Sequence, residues 1–122
     1  AEFLASHPKI AYVNYCGLPG DKYHAVAEKY LPNGSCGVVS FGVKGGREAA
    51  AAFMGHLKIA AIETHVADAR TCCLHPASST HRQMNDEQLI AAGVQPDLVR
   101  MSCGLEDKND LIHDIAQALD QI

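Results

Sequence analysis

The spacing of apolar and polar residues changes period repeatedly along this chain, and each change marks an element. Ile10 to Tyr15 (IAYVNY), rich in β-branched and aromatic residues, predicts a short strand closed by Gly17-Leu18-Pro19-Gly20. From Lys22 to Tyr30 the apolar or aromatic Tyr23, Val26, Ala27 and Tyr30 recur at helical spacing. They predict a helix capped by Asp21, buried along that stripe and ended by Pro32-Asn33-Gly34. Cys36 to Val43 (CGVVSFGV) is almost continuously apolar, as expected of a strand inside its sheet rather than at its edge, and Lys44-Gly45-Gly46 breaks it.

Arg47 to Lys58 carries a run of alanines followed by Phe53, Met54 and Leu57, which predicts a helix packed toward its C-terminal end. Ile59 to Val66 (IAAIETHV) reads as a strand. Asn85 to Ala92 reads as a short helix with Asn85 or Asp86 at its cap and Gly93 at its stop. Leu98 to Cys103 is a further strand, and alternation along it places Leu98, Arg100 and Ser102 on one face. Glu106 to Ile122 is the clearest amphipathic helix, with Leu111, Ile112, Ile115, Ala118, Leu119 and Ile122 along one stripe. The opening residues Ala1 to Ser6 read as the tail of a helix begun upstream, which Pro8 terminates at about His7.

Strands interleaved with helices, and no Gly-rich phosphate loop after any strand, predict an α+β fold. The expectation is a mostly antiparallel sheet of about four strands with helices packed on it, forming one domain over residues 1–122. Composition agrees, since 122 residues with 48% hydrophobic and 20% charged can bury a core. A net charge of −4 without a Lys/Arg run argues against nucleic acid or an anionic membrane as partner and favours a small ligand. No stretch approaches the length of a spanning helix, and the expected location is cytoplasmic. Five cysteines, two of them adjacent, suit reduced thiols better than a disulfide framework.

Val66 to Met84 (VADARTCCLHPASSTHRQM) has no sustained period and concentrates hydroxyl, histidine, cysteine and arginine residues. Cys72, Cys73, His75 and His81 suggest either zinc or a Cys–His nucleophile. The spacing lacks the usual paired-ligand pattern, and buried cysteine is commonly a small apolar residue, so both are weak candidates. Arg100 is the third candidate. On a half-exposed strand it either faces solvent or, facing a cleft, offers a planar fork suited to a carboxylate.

Asp68-Ala69-Arg70-Thr71, His75-Pro76-Ala77-Ser78-Ser79-Thr80-His81, Ala91-Ala92-Gly93-Val94 and Leu98-Val99-Arg100-Met101-Ser102-Cys103-Gly104-Leu105-Glu106-Asp107 occur in order. Together they resemble the Cys/Met-metabolism family of fold-type I enzymes dependent on pyridoxal phosphate (PLP). The resemblance covers essentially the whole chain and is strongest between Asp68 and Asp107. It implies a C-terminal domain whose cofactor domain lies in upstream sequence, and a homotetramer for the full-length enzyme. The form of the motif is most similar to the branch that makes homocysteine from O-acetylhomoserine and sulfide by γ-replacement. The cystathionine-forming and methionine-cleaving branches are the nearest alternatives, with a free-standing amino-acid-binding domain as the reading from another class.

By the same resemblance, Arg100 matches the arginine that pairs with the α-carboxylate of the amino-acid substrate. His65 falls near that carboxylate, where relatives often have Ser or Asn, and Thr80 matches a threonine close to the arginine. His75 and His81 are expected to be structural. No lysine of the chain sits in the Ser-x-Thr-Lys context that carries PLP in the family, so PLP is expected in the full-length enzyme and not on this fragment, and the residues here are expected to bind substrate rather than to catalyse.

Overall fold

The computed structural model describes residues 1–122. Five strands form one sheet in the order β1-β2-β5-β4-β3: β1 (Ile10–Asn14), β2 (Val38–Val43), β3 (Ala61–Ile62), β4 (Cys72–Leu74) and β5 (Leu98–Ser102). All neighbours pair antiparallel except β3 and β4, which are parallel. Five helices accompany them: α1 (Glu2–Ser6), α2 (His24–Tyr30), α3 (Gly46–His56), α4 (Asp86–Ala91) and α5 (Lys108–Asp120). The α+β class, the predominantly antiparallel sheet and the inner position of β2 agree with the sequence reading, with a fifth strand added.

That fifth strand is β4, inside the stretch expected to be a loop. Cys72, Cys73 and Leu74 are all buried, and three residues are too few to show a period in sequence. The strand expected over Ile59 to Val66 shrinks to Ala61–Ile62, and α5 supplies the reason at its start. Asp114, 4% exposed, accepts hydrogen bonds from the backbone N–H groups of Lys58, Ile59 and Ala60 at 2.8, 2.8 and 3.0 Å. A side chain therefore satisfies donors that a longer strand would have paired across the sheet.

Residues paired across neighbouring strands share a face, so the register divides the sheet into two. Val39, Phe41, Val99, Met101 and Cys73 point one way and join a core with Ala50, Phe53 and Met54 of α3 and Ile115, Ala118 and Leu119 of α5. Phe41 and Phe53 meet edge to face, 5.8 Å between centroids. Asn14, Ser40, Arg100 and Leu74 are aligned in one row across the opposite face.

The helix over Lys22 to Tyr30 departs from its expected packing. It begins at His24, and Asp21 ties the preceding turn instead of capping it, accepting from the backbone N–H groups of Tyr23 and Tyr15 at 2.8 and 3.2 Å. Of the predicted buried stripe only Ala27 is covered, while Tyr23, Val26 and Tyr30 are 58%, 53% and 68% exposed. Lys22 and Lys29 lie over the faces of Tyr23 and Tyr30, at 4.8 and 5.1 Å from the ring centroids. Helical spacing records that one face is apolar; another element must still be close enough to cover it. At α4 the expected cap is Asn85, which also forms a reciprocal capping box with Gln88.

Candidate functional site

Three short segments surround Arg100 on the face of the sheet opposite the helices. Strand β5 places Arg100 between Ser40 of β2 and Leu74 of β4. The loop after β3 crosses the same face: Ala67 N–H donates to the Ser102 hydroxyl at 3.0 Å, and Ala67 adopts the left-handed conformation with φ 59°. Outside glycine that conformation is uncommon and needs support from its surroundings, here the Ser102 contact. The loop thereby presents the Thr64 carbonyl, which accepts a hydrogen bond from Arg100 Nη2 at 2.7 Å.

Arg100 is partly buried and forms no ion pair with any carboxylate of the chain. Its Nε is buried and meets no acceptor. A guanidinium has five N–H donors in a fixed plane, so one anchored hydrogen leaves most of the fork available. The sequence left two orientations open for Arg100. In the structure one edge is anchored and another is buried without a partner, an arrangement unlike a side chain extended freely into solvent.

The other expected substrate residues are placed differently. His65 is 63% exposed, and its Nδ1 lies 2.8 Å from Glu63 Oε2 and 3.7 Å from Asp68 Oδ2. Thr80 is exposed and pairs with His81 Nδ1 at 2.9 Å rather than with Arg100. His75 is 2% exposed, with Nε2 2.8 Å from the Pro96 carbonyl and Nδ1 2.9 Å from the Ser78 hydroxyl. Burial pushes the His75 pKa down, as it does for any imidazole removed from water. Its two ring bonds join the Pro76–Ser78 turn to the approach of β5, which is a structural role.

The thiols show no sign of activation. Burial raises the pKa of both Cys72 and Cys73, and the histidine nearest in sequence, His75, has both nitrogens engaged elsewhere. No three His, Cys, Asp or Glu side chains converge on a point that could hold a metal ion.

Sequence reading missed two residues that hold the site together. Glu106 accepts from Thr71 N–H and from the Thr71 hydroxyl, both at 2.8 Å, and that hydroxyl accepts from Gly104 N–H at 2.8 Å. Thr71 N–H and hydroxyl together lower the Glu106 pKa. The exit of β5 is so clasped to the segment before β4 that a Cβ on Gly104 would lie 2.4 Å from the Ala69 carbonyl oxygen. Arg47 in α3 donates to the carbonyls of Ala77 and Met84 and pairs with Asp86 at 2.6 Å, spanning the 77–86 loop. Neither is marked by periodicity, because each works through backbone atoms distant in sequence.

A hollow of about 450 Å³ lies between α1, the turn after β1, the strands β2 and β5, and α5, lined largely by apolar residues that include Phe3, Tyr15, Met101 and Ile115. Met101 points away from the Arg100 face, so this hollow opens on the opposite side of the sheet from Arg100, with Gly104 and Glu106 among its lining residues.

Residues 1–120 match the family described as Cys/Met metabolism PLP-dependent enzyme. The chain belongs to that family. It is 45% identical to the O-acetyl-L-homoserine sulfhydrylase of Leptospira meyeri, covering 100% of this chain and 28% of that protein. It is 44% identical to the homocysteine synthase of Schizosaccharomyces pombe, covering 98% and 28%. A crystal structure of an O-acetylhomoserine (thiol)-lyase from Campylobacter jejuni superposes with a TM-score of 0.88 at 37% identity, over 98% of this chain and 28% of that one, and contains a pyridoxyl-lysine monophosphate. The chain thus spans little more than a quarter of the length of these relatives.

The lysines present do not fit the family's cofactor. Lys9 Nζ donates to the carbonyls of Leu119 and Ile122, Lys44 Nζ donates to that of Pro8, and Lys22 and Lys29 lie over tyrosine rings. None follows a Ser-x-Thr sequence. No helix is long and apolar enough to cross a membrane.

Proposed function

We propose that this chain is the C-terminal, substrate-gripping domain of a PLP-dependent enzyme that makes homocysteine from O-acetylhomoserine and sulfide. The observation that carries the reading is Arg100, anchored by the Thr64 carbonyl, with a buried and unpartnered Nε and no carboxylate of its own chain. An arginine in that state is prepared for an external carboxylate, which it would grip with its remaining coplanar donors. The names of the Leptospira and fission-yeast relatives support the choice of reaction. The cofactor would be held by a larger N-terminal domain outside these 122 residues, in a homotetramer in the cytoplasm. When bound, it supplies the electron sink for chemistry next to the substrate carboxylate.

Arg100 transfers no proton in this reading. It fixes the carboxylate end of the amino acid, so that the reacting carbons occupy one position. Thr80 would orient the arginine if its hydroxyl turned from His81 to the guanidinium; His65 would act at the rim of the carboxylate site. In the complete enzyme, Arg100→Ala should raise KM for O-acetylhomoserine far more than it lowers kcat. Loss of one charged pair of this kind costs about 2–5 kcal/mol. An unchanged KM would refute the assignment. Comparing O-acetylhomoserine plus sulfide with methionine and with cystathionine as substrates tests the reaction itself, and activity confined to either of the last two would sink it.

A further inference from the structure

Arg100 and the loop that anchors it are both tied to one strand. Strand β5 lies between β2 and β4, and Ser102, 3% exposed, is paired with Val38 on one side and with Cys72 on the other. Every second residue of a strand returns to the same face, so Arg100 and Ser102 stand side by side beneath the loop that follows β3. Each makes one bond to that loop. Arg100 Nη2 donates to the Thr64 carbonyl at 2.7 Å, and the Ser102 hydroxyl accepts Ala67 N–H at 3.0 Å.

The Thr64 carbonyl is held from two directions. Upstream, Glu63 N–H donates to the Cys73 carbonyl at 3.1 Å; downstream, the next backbone tie is that of Ala67 to Ser102. Between these ties, residues 64–66 make no backbone hydrogen bond except the one from Arg100. The ion pairs of Glu63 with Arg70 and His65, and of Asp68 with the same two residues, join side chains of the loop to one another, and none reaches the sheet. Ala67 is held at φ 59°, a left-handed conformation that is costly for a residue with a Cβ and persists only where a contact supports it. Without the Ser102 hydroxyl, Ala67 N–H loses its acceptor and the turn its support. The Thr64 carbonyl, three residues away, then loses its downstream tie.

We infer that Ser102 is a positioning residue for substrate binding: by fixing the left-handed turn at Ala67, it holds the Thr64 carbonyl where it sets the plane of the Arg100 guanidinium for the substrate carboxylate. This rests on the reading of Arg100 as the carboxylate grip and deepens it, because Ser102 acts through the loop and not on the substrate. A guanidinium grips a carboxylate through two coplanar donors, so rotation of its plane weakens both bonds at once.

The test is steady-state kinetics of the complete enzyme with O-acetylhomoserine as the varied substrate. Ser102→Ala should raise KM about two- to tenfold, the factor that one hydrogen bond between neutral groups is worth, with kcat nearly constant. Ala67→Val reaches the same turn from the exposed loop without touching the buried strand, and should also raise KM, since a β-branched residue tolerates the left-handed conformation worst. Adding Ala67→Gly to Ser102→Ala should return KM most of the way to the wild-type value, because glycine adopts that conformation without steric cost. A serine that merely filled the sheet would not be rescued by a change in the loop. In an Arg100→Ala enzyme, Ser102→Ala should raise KM no further, as expected of two residues that act through one contact. The inference is overturned if neither Ser102→Ala nor Ala67→Val raises KM, if Ala67→Gly gives no rescue, or if the effects of Ser102→Ala and Arg100→Ala multiply, in an enzyme where Arg100→Ala alone raises KM. If Arg100→Ala has no effect by itself, the failure lies with the underlying reading of Arg100.

Discussion

The two faces of the sheet are built from the same strands and solve opposite problems. On the helix side, Val39, Phe41, Val99 and Met101 are buried against α3 and α5, and cohesion comes from area removed from water and from packing. On the other side, Ser40 and Arg100 are only partly covered, and cohesion comes from individual bonds between side chains and distant backbone: Arg100 to Thr64 and Ser102 to Ala67. The difference teaches where function can reside. A packed face tolerates little change in volume, whereas a face held by discrete bonds can leave one donor unpaired for a ligand.

If this contrast is right, the largest loss of stability should come from the helix side. Phe53→Ala removes a fully buried ring and its edge-on contact with Phe41, and should destabilise the chain by about 3–5 kcal/mol in urea unfolding. A loss below 1 kcal/mol, on that same order-of-magnitude scale, would mean that this face is not the core.

Asp114 joins the two modes, because it is a charge buried at the edge of the core. Burial opposes its ionisation, but the N–H groups of Ala60, Ile59 and Lys58 outweigh that and hold its pKa below the ordinary aspartate value. A carboxyl depressed in the folded state stabilises fully above its unfolded pKa, about 3.9, and that stability disappears as pH falls through the folded value. Asp114→Asn should therefore cost about 1–3 kcal/mol at neutral pH. It should also flatten the decline in stability below about pH 4. An acid profile identical to wild type would show that this carboxylate contributes nothing to it.

The smallest effect on stability should come from the site itself. Arg100→Gln removes the bond to the Thr64 carbonyl but also a buried Nε without a partner, and should shift unfolding by no more than about 1 kcal/mol. A loss as large as that of Phe53→Ala would abolish the distinction between the faces.

Much of this was legible in the amino-acid order. The strand from Leu98, the alternation that separates Arg100 from Met101, the cap at Asn85 and the stripe along α5 all follow from residues close in sequence. The ordered motifs between Asp68 and Asp107 pointed to Arg100 through family resemblance. What could not be read has a common cause. Strand β4 exists because β5 and β3 lie on either side of it, the strand after α3 starts late because Asp114 reaches the residues before it from the last helix, and the stripe of α2 stays uncovered because nothing packs there.

The sequence by itself therefore determined the local elements and the α+β class, since these depend on neighbours a few positions apart. Only the tertiary structure decided that Arg100 is anchored to Thr64 and unpaired, that Thr80 faces His81, and that His65 is turned toward Glu63 and Asp68. Those outcomes depend on which distant backbone and side-chain groups arrive within hydrogen-bonding distance, and chain order alone does not specify that.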